Sequence, residues 1–592
     1  MFLRIVKNAG GKKGPVEYVR LVESYWEDGR TKQRVVCNLG RKDLLASHLD
    51  GLNRLLGGQS ISPDAVRTAD VQAMGAWDWG PMLVAATLWR QMGLEKILDR
   101  LDKRGKRDGA SLSDRALVLV TNRLCEPSSE HGLARWLETD FVCDRHGRRW
   151  MPEWRQERER KASSRPRVRV EWRQLGKWYR TLDQLIERRE KIEKELFLHL
   201  RELFSLKVDL VLYDLTSTYF EGHGPSMSKH GHSRDGKPRN RQVLVGMVMV
   251  DGWPITHHVF EGNWRDSKTV PGVIADLEQR FGLRRIVFVG DRGMVTSDNL
   301  ELLRSRQGMG YVVGLNRRRR EEVYRYIEGA TGKWTECPVG ITSQEKADPP
   351  KTLVHEVEGN EPGVRIFVVH SDERLAYERT QRLKAMERVR EELEALEQRV
   401  AKGKLKAAAK IGAAAARILQ RNHGYRYYDW QYKDGRFGFF EHPVNLKREQ
   451  AYEGKYVIQT EEKELSPVQA VGIYKELSEV ERAFCNLKDV IDMRPIFHKT
   501  DQRVQAHIFV AALAFLLHRA MEKKLKAAGV DLSATEALKT LRSVRVVDIE
   551  LGQGRRKRTV TRGSSRAARV LTALGIRDID PPTPPAEAET VT

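Results

Sequence analysis

Apolar and polar positions alternate in several distinct ways along this chain. Residues 17–39 hold two β-rich runs either side of Asp28-Gly29, a dipeptide suited to a two-residue turn, which predicts a hairpin. Residues 80–140 carry the 3.6-residue period of amphipathic helices, and 183–206 predict another helix. Strand-like runs follow at 208–213, 242–250, 255–260, 285–290 and 310–316, with helical stretches at 268–281 and 297–306. That order (β, β, β, α, β, α, β) suits a mixed sheet with helices packed on it. In 374–420, Met386, Val389, Leu393, Leu396 and Val400 recur at spacings 3, 4, 3 and 4, a short coiled-coil seam. Gly403 then breaks the helix, and the alanine-rich run after it can fold back as a second one. An antiparallel helical hairpin is expected, with an intermolecular coiled coil as the alternative. Residues 425–460 return to a β pattern. The run "IYKELSEVERAFCNLKDV" (473–490) predicts one helix, and 503–521 predict a long core helix.

Composition narrows the partners. Lys plus Arg number 104 against 81 Asp plus Glu, a net charge of +23, which points to a polyanion such as nucleic acid. Residues 145–180 hold thirteen Lys/Arg against four Glu, with Trp150, Trp154, Trp172 and Trp178 interleaved. Cations there can neutralise phosphates and indoles can stack on bases; the plainer reading is a solvated loop whose tryptophans pack locally. The five scattered cysteines match no zinc spacing and read as reduced thiols. No run of about 18 apolar residues or signal-peptide core is expected. The basic C-terminal region is expected to end in a disordered Pro-rich tail. His223, His230, His232, His257 and His258 lack a tight ligand spacing and read as solvated.

The chemistry is carried by acids. Asp214 lies within or at the end of an apolar strand, and Asp291 directly follows "IVFVG". An unpaired carboxylate in such a place is costly, so two of them suggest a shared cation, and oxygen ligands suit Mg²⁺. Each also has a bland role, as a turn former or an arginine partner. In the 473–490 helix, Ile473, Leu477, Val480, Phe484 and Leu487 form the buried stripe. Tyr474, Glu481 and Lys488, seven apart, line its edge. Glu476 and Glu479 read as solvating, so Glu481 is the acid best placed to join the strand acids.

These residues resemble those of the DDE transposases of bacterial insertion sequences. The helix is similar to the third-acid helix of the branch reading Tyr-x2-Arg-x3-Glu-x6-Lys, through Tyr474, Glu481 and Lys488. "YDLTSTYFEG" resembles the first-acid strand and "GDRG" the second-acid turn. "FLRIVKN", residues 17–40 and "FEGNWRDSKT" are similar to segments of one subgroup. The match departs at Leu477, where the signature has arginine; the phosphate contact would be absent or moved to Lys475 or Arg482. The resemblance implies an α/β fold: an RNase H-like five-stranded mixed sheet, a large α+β insertion before the third-acid helix, and a mainly helical N-terminal DNA-binding region. The expected divisions are a hairpin module (1–60), a basic helical region (61–206), the core's first part (207–316), the insertion (317–470), the core's second part (471–525) and a basic tail (526–592). Asp214, Asp291 and Glu481 would hold two Mg²⁺ ions, with Mn²⁺ able to substitute. Tyr474, Lys488, Arg292, Lys475 and Arg482 would contact DNA. The expected partners are the element's inverted repeats and target DNA, bound as a homodimer in the bacterial cytoplasm on the nucleoid, with no membrane. The activity implied is end cleavage and strand joining. A same-core nuclease and an inert DNA-binding derivative are the alternatives.

Overall fold

The structure is a computed structural model. It describes residues 1–8, 16–49, 52, 56, 71–102, 110–159, 167–206, 208–294, 296–315, 321–338, 350–551, 556–584 and 590–591; side chains of 8, 47, 154–159, 167–171, 292 and 590–591 are excepted. The chain divides into two compact units, one of residues 1–77 with 546–561, the other of 78–545 with 562–592.

In the smaller unit, Phe2–Asn8, Val16–Glu27 and Arg30–Arg41 form an antiparallel sheet. Asp28 and Gly29 at its turn have φ of 52° and 74°. Positive φ at both turn positions matches the right-handed twist of the flanking strands, and Asp-Gly tolerates it. A second sheet joins Gln72–Asp78, Arg545–Glu550 and Arg556–Val560.

The larger unit is built on one sheet. Its strands are β1 (Leu210–Tyr219), β2 (Gln242–Val250), β3 (Trp253–Glu261), β4 (Ile286–Gly290), β5 (Met309–Gly314), β6 (Thr335–Cys337), β7 (Thr352–Glu358), β8 (Arg365–Ser371) and β9 (Lys455–Thr460). The order across the sheet is β3-β2-β1-β4-β5-β9-β8-β7-β6. β1 to β3 are antiparallel neighbours, β4 runs parallel to β1 and to β5, and the remaining pairs are antiparallel. The expected five-stranded sheet is therefore nine-stranded. Residues beyond β5 extend it edge to edge, because β9 pairs with the open side of β5 and leaves no free edge there.

Helix α1 (Leu175–Phe204) packs on β3; α2 (Val270–Gln279) and α3 (Ser297–Arg304) bury Val273, Ile274, Leu277 and Leu303 against Val211, Tyr213, Leu215 and Phe288. Helix α4 (Pro467–Cys485) packs across β1, β4, β5, β7 and β9. Its N-terminus carries a capping box of Ser466 and Gln469 with Pro467 in the first turn. Helix α5 (Asp501–Ala527) packs against α1, β3 and the helix Leu112–Cys125. By length and composition α5 could cross a membrane, contrary to the expectation from the sequence, but 83% of its apolar window is buried inside the protein.

The seam residues Met386, Val389, Leu393, Leu396 and Val400 are buried against Ile411, Ala415 and Leu419 of the returning helix, so the seam closes within the chain. The described part of the segment 145–180 contains two antiparallel strands, Trp154–Glu159 and Arg167–Trp172. Trp150, Trp172 and Trp178 are 1%, 7% and 0% exposed and pack on one another, with centroids 5.2 and 6.1 Å apart, so these three indoles are core and do not offer faces to bases. Trp154's side chain lies outside the described residues. The tail also departs from disorder where it is described. A Cβ on Gly147 would lie 1.9 Å from the Pro582 carbonyl, and Thr590–Val591 pairs with Arg149–Trp150.

Candidate active site

Asp214 sits mid-strand on β1, opposite Met247, rather than at a strand end. Leu210, Val211 and Leu212 pair in parallel with Val287, Phe288 and Val289 of β4. Continuing that register two residues places Asp291 level with Asp214 and on the same face, one strand spacing away. Glu481 comes from α4, which packs on both strands. The three charges act on one another. The Asp214 carboxyl is pushed up to about 7, chiefly by burial and also by the Asp291 and Glu481 charges, against the Leu215 N–H (2.7 Å) and Arg234, which pull it down. Burial, then Asp291, also raises Glu481. Like charges gathered on one half-buried face disfavour their own ionisation. A hard, oxygen-seeking dication fits such a set, because it replaces that repulsion with attraction.

This gives a pH-dependent expectation. A carboxyl raised to about 7 makes the folded state take up a proton that the unfolded chain has already lost, so stability falls as pH rises from about 4 to about 7. Calorimetry without divalent ions should show that decline in the wild type and less of it in Asp214→Asn. Added Mg²⁺ should stabilise the wild type strongly at pH 8 and hardly at pH 5. Equal Mg²⁺ stabilisation at both pH values would show that Asp214 does not compete with the ion for its proton.

The expected DNA-contacting residues fall in different environments. Tyr474 is half-buried: its hydroxyl would lie 2.2 Å from a Cβ on Gly314 of β5, and its ring is 5.7 Å from Tyr456, so glycine at 314 makes room for it. Lys488 does not continue a straight line from Tyr474 and Glu481, because residues 486–490 form a π-turn that rotates the residues after Cys485. Its ammonium is bound to Asp235 at 2.7 Å. Lys475 donates to Thr352 (3.0 Å), and Arg482 pairs with Glu479 at 2.9 Å while remaining 59% exposed. Arg292's side chain lies outside the described residues. Leu477 is 6% exposed and belongs to the core, so a charge at that position would be buried. Glu479 is not merely solvating: it also binds Arg519 of α5 and ties the two helices together.

The sequence reading missed a ring of residues beside the acids. Asp235 receives Lys488, Arg494 and Ser217; Arg234 binds Asp266 at 2.6 Å. The Asp266 carboxylate lies 2.8 Å from where a Cβ on Gly293 would be, which gives the second glycine of "GDRG" a packing role. The one available signal was a lone acid, Asp235, inside the basic run "HSRDGKPRNR". The histidines also need correction. His257 is 1% exposed and binds Glu193 at 3.0 Å, and His258 lies 3.3 Å from Asp276, so neither is solvated. A different trio, Glu130, His498 and His507, holds its ligand atoms within 4.8 Å of one another. The buried Arg123, whose charge already acts on Glu130 and His507, opposes a dication there.

A fold and site of this kind define an acid-bearing α/β domain. A family profile described as "Transposase DDE domain" matches residues 209–517, more than half of the chain. Another, "IS1634 family transposase, N-terminal domain", matches residues 3–62. The chain belongs to the DDE transposases of insertion sequences, enzymes of DNA transposition. No curated protein matches it. Among solved structures, a piggyBac transposase synaptic complex with hairpin DNA is similar at 9% identity over 78% of this chain and 80% of that one, with a TM-score of 0.33, too loose a likeness to speak to the site.

Proposed function

We propose that this transposase cuts element ends and joins the 3′-hydroxyls to target DNA at Asp214, Asp291 and Glu481, on an RNase H-like core. The observation that carries the reading is the convergence of these acids, from two adjacent parallel strands and one crossing helix, on one face. The strand order β3-β2-β1-β4-β5, three antiparallel then two parallel, supports the RNase H-like assignment.

The three carboxylates would hold two Mg²⁺ ions, and Asp214 feels the charges of both other acids. When bound, such ions polarise the phosphoryl group and stabilise the departing oxygen. Lys488, Tyr474, Lys475, Arg482 and Arg292 would orient the backbone phosphates near the cut. No side chain forms a covalent bond to DNA. Pairing two element ends calls for two copies of the chain on DNA, in the bacterial cytoplasm where the element resides.

The test is a duplex carrying one terminal repeat, incubated with protein, Mg²⁺ and a target plasmid. Cleaved ends with free 3′-hydroxyls and plasmid-joined products are expected, and a pre-cut end should join without prior cleavage. Cutting with no joining from pre-cut ends would reduce the activity to that of a nuclease, and Mg²⁺-independent cutting would overturn the metal assignment.

A further inference from the structure

We propose that Asp235 is a positioning residue that fixes Lys488 and Arg494 at the border of the acid site, ready for a DNA backbone phosphate. The inference rests on the catalytic reading above and adds a residue to it.

Asp235 lies between β1 and β2, some 250 residues from the helix it serves. Its side chain is 1% exposed and accepts from three groups: the Lys488 ammonium at 2.7 Å, the Arg494 guanidinium, and the Ser217 hydroxyl at 3.4 Å. Ser217 stands three residues beyond Asp214 on β1 and also accepts from the Arg234 N–H at 2.9 Å, which anchors the loop to that strand. Arg234 acts electrostatically on both the Asp214 carboxyl and the Lys488 ammonium, so the basic group and the acids share one region. Arg494 is steadied from its other side by Asp489 at 2.8 Å.

A lysine ammonium is a point charge on a flexible stem, and holding it costs rotamer freedom. Lys488 is only 10% exposed, with Arg494 and Arg234 repelling it. Without a buried anion between the two cations, Lys488 would swing away. With Asp235 and Asp489 in place, the two cations are matched by two carboxylates and held in fixed positions. Charge-assisted hydrogen bonds of this length give direction as well as energy. The π-turn at 486–490 brings Lys488 to that carboxylate, and such turns recur at functional sites.

The test is a double-mutant cycle of Asp235→Ala with Lys488→Ala, with Asp235→Asn as a milder variant should Asp235→Ala fold poorly. Asp235→Ala should lower the cleavage rate at saturating end DNA by at least about tenfold, with Kd for that DNA within about threefold, and Asp235→Asn should recover part of the loss. In the Lys488→Ala background, Asp235→Ala should cost no more than about twofold further. Additive losses would mean that Asp235 merely supports the fold, and an unchanged rate with tighter DNA binding would mean that it masks the cations; either overturns the proposal. A readout free of catalysis is acylation of Lys488 in the DNA-free protein, followed by mass spectrometry. Asp235→Asn should speed labelling of Lys488 at least about fivefold, and unchanged labelling would overturn the proposal. Cleavage retained in the acid variants would sink the catalytic reading alone and leave this labelling result standing.

Discussion

Asp214→Asn, Asp291→Asn and Glu481→Gln should each lower divalent-dependent end cleavage by at least about 10²–10³-fold, while end-DNA binding is kept or slightly tightened. Each change keeps the side chain's size and removes one negative charge from the converged face. For Asp214 it also removes the repulsion with Asp291 and Glu481 that burial amplifies, so the folded variant should be at least as stable as the wild type without metal. Activity and stability then move in opposite directions, which a folding defect cannot imitate. Binding persists because it rests on many cations and not on these acids. Single-turnover cleavage, filter binding and a thermal melt on the same preparations check all three points. Cleavage retained in one variant removes that residue from the site, and lost binding together with a lowered melting temperature assigns the defect to folding.

Glu193→Ala should destabilise the larger unit by about 3–5 kcal/mol, the cost of breaking a buried ion pair on one side. Glu193 is 4% exposed on α1 and binds Arg280, which follows α2, and His257 at 3.0 Å and Thr256 at 3.0 Å on β3. Burial alone would raise its carboxyl; the His257 hydrogen bond, with the charges of His257, Arg189 and Arg280, outweighs that and holds it at about 2. Removing the carboxylate strands the Arg280 charge, only 9% exposed, in a site built for an anion. The sign is clear for pH as well: a depressed carboxyl contributes stability above its unfolded value of about 4.3, and that contribution is lost as pH falls from there towards 2. Denaturant titration at pH 7 and pH 3 should show a large gap between wild type and variant at pH 7 that narrows at pH 3. A loss under about 1 kcal/mol at pH 7 would mean that water reaches the pair and screens it.

Much of the core was legible because its signals are local. The five runs 208–213 to 310–316 correspond to β1 to β5, since parallel and central strands are apolar on both faces and stand out as such. Asp214, Asp291 and Glu481 stood out because a carboxylate in or beside an apolar run has few structural uses. The strands β6 to β9 were harder to place. Of these only β9 falls in a run read as β (425–460), and nothing local states that β9 pairs with β5, nearly 150 residues earlier in the chain. Trp150, Trp172 and Trp178 left two readings open, because composition cannot tell an indole that faces a base from one packed on another indole.

The sequence by itself determined the five core strands, the helices around 473–490 and 503–521, and which acids stand against the apolar pattern, because periodicity and side-chain chemistry act between neighbours in the chain. Only the tertiary structure decided that the nine strands make one sheet, that Leu477 is core, and that Lys488 is held by Asp235. Each of these depends on residues brought together from far apart, where burial and the surrounding charges set what a side chain does. The same lysine that reads as a free phosphate contact along one helix becomes, once the loop between β1 and β2 closes on it, half of a buried ion pair.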